Sequence, residues 1–270
     1  MKLKRLIPRS VYRRFLNERA HRQRLQRLAA NRLCHSNRQE RLSVVLLSYK
    51  RPKNIDKLLS SLLLCPFVDE IVVSNNNPHI RMETHLHLAD PRVAVINQAQ
   101  RCYASIRFDI SLHLKSEFIL AIDDDIFLEP EQIQLLFHRL LETPEVPHGV
   151  GGEIFSEDLS EYRRVARSDE PVEALSWLFA YTREHVLKYF ELLDRLGIDN
   201  HTFDSSEDVP LSFSGKSHAR VHDIGKLAHC PTNTREGIAT CMNHGFFDQR
   251  KDLVRKMRGL CRFDPALLQR

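Results

Sequence analysis

The sequence predicts an α/β fold in which a mostly parallel central sheet is flanked by helices. Three observations predict it. From residue 42 onward, short apolar β-rich runs alternate with segments of helical period, the order a parallel sheet with covering helices needs. Two of those runs, 42–48 and 118–122, are apolar without alternation, as strands buried on both faces are. The chain has 270 residues and is 42% hydrophobic, enough for one full-sized core.

The elements follow in order. Residues 1–41 read as a basic helical arm, with Leu3, Leu6, Ile7, Val11, Phe15 and Leu16 at roughly helical spacing among arginines. A solvated tail, a helix lying on anionic lipid and a docking helix for a partner all fit that pattern. Residues 42–270 read as a single domain. After the strand 42–48, Ile55, Leu58, Leu59, Leu62 and Leu63 form a stripe at i, i+3, i+4, i+7 and i+8, a helix. Residues 71–74 and 92–96 are strands, the first ending in the turn Asn75-Asn-Asn-Pro78. A helix over 102–114 leads to the strand 118–122. Pro130 then opens a helix to residue 141, since proline suits a first helical turn. Strands are expected over 149–155, 162–166, 175–181 and 220–224. Helices are expected over 183–196, from near Glu207, and over 246–260.

Charge divides the chain. Residues 1–41 carry thirteen Lys/Arg against two Glu, or +11, and the remainder carries 27 basic against 33 acidic residues, or −6. A nucleic-acid enzyme spreads positive charge over its working face, so no nucleic-acid partner is expected. The six cysteines show no C-x-x-C spacing and read as reduced thiols, which makes the expected location cytoplasmic, with peripheral membrane contact through the arm. Neither a membrane span nor a signal-peptide apolar region is expected.

Asp123-Asp124-Asp125 is the strongest chemical signal. Three adjacent carboxylates repel one another, so folding gains nothing from placing them together. They stand at the carboxyl end of an apolar strand, where open α/β sheets bind ligands. Hard oxygen ligands suit Mg²⁺ or Mn²⁺ held together with substrate phosphates. The second signal is Ser205-Ser206-Glu207-Asp208, where a serine can cap the next helix and the helix start keeps Asp208 ionised as a base or cation stabiliser. Arg51 and Arg107 suit a diphosphate, because guanidinium forks match phosphate oxygens. Of the fourteen histidines, His229 and His244 could each lend a neutral imidazole to a metal. Glycine-rich phosphate loops are missing from the sequence.

These motifs, in this order, resemble the GT-A glycosyltransferases over roughly residues 42–250. Val44-Val-Leu-Leu-Ser-Tyr-Lys-Arg-Pro52 looks like the first strand of family 2 enzymes. Arg107 followed by Phe118-Ile-Leu-Ala-Ile-Asp-Asp-Asp125 resembles their arginine helix and DXD strand, and Ser206-Glu207-Asp208 resembles their xED motif. One turn departs. Family 2 enzymes usually carry an Asp-rich turn after the second strand, whereas Ser74-Asn-Asn-Asn77 is closer to the Asn-Asn turn of the exostosin C-terminal (family 64) transferases. The triple Asp and the His-containing segment before a basic helix are also similar to that family.

The resemblance implies a metal-dependent glycosyltransferase using Mn²⁺ or Mg²⁺. It would move a sugar from a nucleoside diphosphate sugar, UDP-linked ahead of GDP-linked, to a glycan or other hydroxyl acceptor. It implies that Asp125 binds the metal with Asp123 beside it, and that Asp123 or Asp124 holds the ribose. Arg51, Asn76 and Arg107 would contact the nucleotide, and Asp208, next to Glu207, would face the reacting sugar. The Gln-x-x-Arg-Trp motif of processive synthases is missing, which argues against a membrane polysaccharide synthase. Two rivals remain open: a nucleotidyltransferase with an acidic metal site, and an inactive GT-A-like scaffold whose arm binds membrane or a partner.

Overall fold

The computed structural model describes residues 8–30, 40–238, 240–264 and 268. Most predicted elements form. In chain order they are α1 (Arg9–Ala30), β1 (Leu42–Ser48), α2 (Ile55–Leu62), β2 (Val68–Asn75), β3 (Val93–Asn97), α3 (Ile106–Ser111), β4 (Phe118–Asp123), β5 (Ile126–Phe127), α4 (Pro130–Glu142), β6 (His148–Phe155), β7 (Tyr162–Ala166), β8 (Glu170–Val172), β9 (Ala174–Thr182), α5 (Arg183–Leu196), α6 (Asp208–Ser212), β10 (Ala219–Val221), β11 (Ala228–His229) and α7 (Phe246–Leu260).

Among the described residues, nine strands form one sheet in the order β3-β2-β1-β4-β9-β6-β10-β8, with β7 added to β6. The half from β3 to β4 is parallel throughout. Beyond it, β9 runs antiparallel between β4 and β6, and β10 runs parallel to β6. The sheet is therefore mixed, with the parallel strands carrying the site. Strands β1 and β4 are central and buried on both faces, the physical reason for their unbroken apolar runs. One face of the sheet buries Leu46, Leu58, Ile122, Ile133 and Phe137 under α2 and α4. The other buries Val45, Phe108, Ala121, Tyr189 and Leu253 under α3, α5 and α7.

Pro130 stands in the first turn of α4 as expected, and Glu129 and Gln132 close a reciprocal capping box around it. Helix α5 ends at Gly197, whose φ of 66° lies in the left-handed region that glycine takes without a Cβ clash. The helix expected over 102–114 is shorter, because Ser105 turns its hydroxyl onto the carbonyls of Asn200 and Phe203 instead of continuing a helix backward.

The arm helix packs on the body. Arg24 of α1 is buried, donating to Glu129 at 2.7 Å, to Ser60 Oγ at 3.0 Å and to the Lys57 carbonyl at 3.3 Å. Glu18 pairs with Lys57. Val11, Phe15 and Leu16 stay exposed. Residues 1–7 and 31–39 of the expected arm lie outside the described residues. Among those described, no helix is long and apolar enough to cross a membrane, and the five cysteines are free.

Candidate functional site

The three aspartates at the end of β4 take three different environments. Asp123 is the most open and accepts a hydrogen bond from Arg107 Nη2 at 2.7 Å. Asp124 turns inward, 5% exposed, and accepts from Arg51 Nη1 at 2.7 Å and the Tyr49 N–H at 3.1 Å. Asn54 donates to its carbonyl. Asp125 meets only Arg51 Nη2, at 3.3 Å, among side chains of opposite charge. Burial pushes the Asp125 carboxyl up to about 7; Asp123 and Asp124 add to the shift and Arg51 opposes it. A half-buried carboxylate with so few donors is a position a cation would relieve.

Two buried arginines organise the surroundings. Arg107 of α3 is 1% exposed and lies between Asp123 and Glu207, the latter at 3.3 Å. Its Nε donates to the Ala104 carbonyl, while its Nη1 is buried with no partner. Burial works against this cation, but Asp123 and Glu207 outweigh it and hold it charged. Burial also raises the Glu207 carboxyl, against the pull of Arg107. Arg250 of α7 is equally buried, and it joins Asp208 at 2.5 Å, Glu153 of β6 and the Leu175 carbonyl. Between these arginines, Ser206 adopts a φ of 63° and buries its hydroxyl without a partner.

Residues 42–158 match the glycosyl transferase family 64 domain. The comparison with curated proteins finds no match. Among solved structures, the crystal structure of GalNAc-T7 with UDP, GalNAc and Mn²⁺ is similar, with a TM-score of 0.53 and 11% identity. The similarity covers 72% of this chain and 44% of that one, so this chain spans less than half of that protein's length. The chain has the GT-A-type fold of that structure, and within it residues 42–158 are similar to a glycosyltransferase domain. The structure of CMP:2-keto-3-deoxy-manno-octonic acid synthetase with CTP matches at a TM-score of 0.42 and 10% identity, over 59% of this chain and 87% of that one, too distant to bear on the fold.

In this GT-A domain several expected site residues point elsewhere. Asp124, expected at the ribose, accepts from Arg51 and the Tyr49 amide. Asn76, expected at the nucleotide, is buried, accepting from Ser74 Oγ and donating to the Tyr103 carbonyl in the loop before α3. Arg51 is committed to Asp124 and, through Nε and Nη2, to Thr232. Asp208 faces Arg250, and Glu207 is the carboxylate joined to the aspartates, through Arg107. No serine caps α6: its N-cap is Glu207, without a side-chain cap. Arg250, and not a helix start of five residues, keeps company with the Asp208 charge.

Neither histidine is hydrogen-bonded to the acidic trio among the described residues. His229 lies on β11 opposite Ile126, packs edge-on against Trp177 and leaves Nδ1 buried without a partner. His244 is exposed in the turn before α7. Among the described residues, no group of three or more His, Cys, Asp or Glu is arranged to hold a metal ion. Asp123 and Asp125 remain the side chains whose chemistry fits one.

The sequence reading missed three contributors. Arg250 holds Asp208, and Glu153 accepts from the same guanidinium. Arg101 stacks over both Tyr49 and Tyr103, 5.3 Å from each ring centre. For Arg250 a signal existed: it shares an i, i+3, i+4, i+7 stripe with Leu253, Val254 and Met257, a cation in an apolar position.

Proposed function

We propose that the chain transfers a sugar from a nucleoside diphosphate sugar to a hydroxyl acceptor, with a divalent cation at Asp123 and Asp125. One observation carries this reading. At the carboxyl end of β4, Asp125 is a half-buried, donor-poor carboxylate, and the neighbouring Asp123 is paired with a buried guanidinium that has an unused donor, Arg107 Nη1. A cation and a phosphate anion would satisfy both at once.

The protein's own groups then take defined roles. Arg107 donates to the diphosphate as negative charge builds on the leaving oxygen. Tyr49, Arg101 and Tyr103 offer flat surfaces for the base. Glu207 fixes the Arg107 plane, and Asp208, held by Arg250, is the carboxylate proposed to face the reacting sugar. Mn²⁺ or Mg²⁺, when bound, would neutralise the diphosphate charge. A UDP-linked donor is placed ahead of a GDP-linked one by resemblance and by the UDP in the GalNAc-T7 structure.

The test is a thermal-shift titration with UDP and GDP, each with Mn²⁺ or with EDTA, followed by donor hydrolysis and transfer assays. The expected result is a UDP shift that needs Mn²⁺ and disappears in Asp125→Ala, whose fold is otherwise intact. Equal transfer by Asp125→Ala in EDTA would overturn the metal assignment.

A further inference from the structure

Next to the acidic trio, across β11, lies a second cavity of about 150 Å³ that the transfer reading does not use. Its wall includes Trp177, His229, Arg167 and Lys226. It adjoins the reacting end of the sheet: Leu178 pairs with Ile122 of β4, His229 pairs with Ile126, and the Cys230 N–H donates to the Asp125 carbonyl at 2.7 Å.

The backbone is built to present the tryptophan. Between β6 and β9 the register steps from Gly149↔Phe179 to Gly151↔Ser176, so β9 carries one extra residue there. Such bulges re-aim a side chain. Trp177 stands in this stretch with φ 80°, a conformation bulky residues avoid, and is 40% exposed. Gly151 makes room for it: a Cβ there would meet the indole at 2.7 Å. Strain of this kind persists where the surrounding structure over-determines it, and it concentrates at ligand sites.

The charge is equally specific. Arg167 and Lys226 are exposed, and neither has an ion-pair partner among the described residues. Arg13 of the docked arm helix lies close enough to add its charge at His229. His222 also lines the cavity, but Asp169 already accepts from it at 2.9 Å. Asp223 is engaged by the Gly225 N–H. The His229 Nδ1 has no partner.

We propose that this cavity binds a phosphorylated sugar as the acceptor, with the ring against Trp177 and the phosphate between Arg167 and Lys226. The proposal rests on the transferase reading. The cavity has the volume of about five liquid waters, the scale of one sugar ring. An indole face is negative and suits the C–H side of a pyranose. Two unpaired cations with a third nearby match a phosphomonoester, whose charge is about −1.5 to −2, better than a single carboxylate. His229 Nδ1 would complete the polar contacts with a ring hydroxyl.

Trp177 is the chain's one tryptophan, so its fluorescence and its indole N–H NMR signal both report on this cavity alone. The full chain is titrated with the 6-phosphates of glucose, mannose and galactose, with the neutral sugars, with glucuronate and with inorganic phosphate. The expected result is saturable change with at least one sugar phosphate, at least tenfold tighter than its neutral sugar, glucuronate or phosphate alone. Lys226→Ala and Arg167→Ala, both at exposed positions, should each weaken it at least fivefold. Silence of both signals with every sugar phosphate, equal binding of neutral sugar or glucuronate, or equal binding of free phosphate would each overturn the proposal. The Mn²⁺-dependent UDP shift is read separately, so failure of the donor reading and failure of this one stay distinguishable.

Discussion

Arg107 and Arg250 are both fully buried, and each lies between two carboxylates, yet they are not equivalent. Arg250 spends every nitrogen: Nε on Glu153, Nη1 on Asp208 and Nη2 on the Leu175 carbonyl. Arg107 uses Nε and Nη2 and keeps Nη1 unpartnered. The saturated arginine joins α7 to the sheet. The unsaturated one, at the open end of β4, has a donor left for something the chain does not supply. Adjacent residues serve the two, Glu207 for Arg107 and Asp208 for Arg250. The difference teaches that one buried guanidinium is saturated by the fold, while the other keeps a spare donor, the one the proposed diphosphate would use.

The largest expected effect tests the structural half. Removing one partner of a buried ion pair leaves uncompensated charge and costs about 3–5 kcal/mol. Arg250→Ala strands both Asp208 and Glu153, so its unfolding free energy in urea should fall by about that amount. The triple change Arg250→Met, Glu153→Gln, Asp208→Asn should recover most of it, because the stranded charges are gone. A single variant as stable as the wild type would remove the contrast between the two arginines.

The next effect tests the ligand half. Arg107→Lys keeps the charge near Asp123 and Glu207 but loses the fork. A hydrogen bond to a charged group is worth about 1.5–3 kcal/mol, so UDP affinity with Mn²⁺ should fall roughly 10- to 100-fold. Its thermal stability should change less than that of Arg250→Ala. Unchanged nucleotide affinity, read by calorimetry, would show that the spare donor has no ligand role.

The sequence carried most of the fold and about half of the site, and the boundary has physical causes. Strands 42–48 and 162–166 and helices 183–196 and 246–260 have the same limits in both readings, because unbroken apolar runs and helical stripes are local signals. Strands β5, β8 and β11 have two or three residues, too few to show a period, and they form only because neighbours pair with them. The acidic trio was legible as a cluster. Its division into an open Asp123, an inward Asp124 and a donor-poor Asp125 was not, since it depends on Arg51 arriving from β1 and Arg107 from α3. The bond from Asn76 to the Tyr103 carbonyl was hidden for the same reason, since the two are distant in sequence.

A pH scan sharpens the comparison only after another buried pair is accounted for. His148 stacks on His222, and its Nε2 lies 2.8 Å from the Thr143 carbonyl. Burial depresses its pKa to about 3, with His222 adding to the effect and the Thr143 hydrogen bond opposing it. The group is neutral when folded and titrates near 6.5 when unfolded. Its contribution is therefore whole above pH 6.5 and declines as pH falls toward 3. Linkage gives a loss of about 2 kcal/mol between pH 7 and pH 5. His148→Gln should flatten that part of the curve, measured by urea unfolding at each pH. If the slope is unchanged, the acid sensitivity belongs to other groups.

The smallest effect concerns the hinge between the two arginines. Ser206 holds φ 63°, a left-handed conformation that costs a non-glycine residue about 1–2 kcal/mol, and its hydroxyl is buried without a partner. Ser206→Gly removes both penalties, while the freer unfolded chain takes back about 0.4–1 kcal/mol. The net expectation is a gain of about 1 kcal/mol, or a melting point higher by about 2–4 °C. Turnover should move the other way. The constrained turn is what sends Glu207 toward Arg107 and Asp208 toward Arg250, and glycine loosens that choice. A variant that is more stable and slower, with nucleotide affinity retained, would place the strain in the service of orientation. A variant that is no more stable would mean the turn holds no strain, and the two arginines would then be set by packing alone.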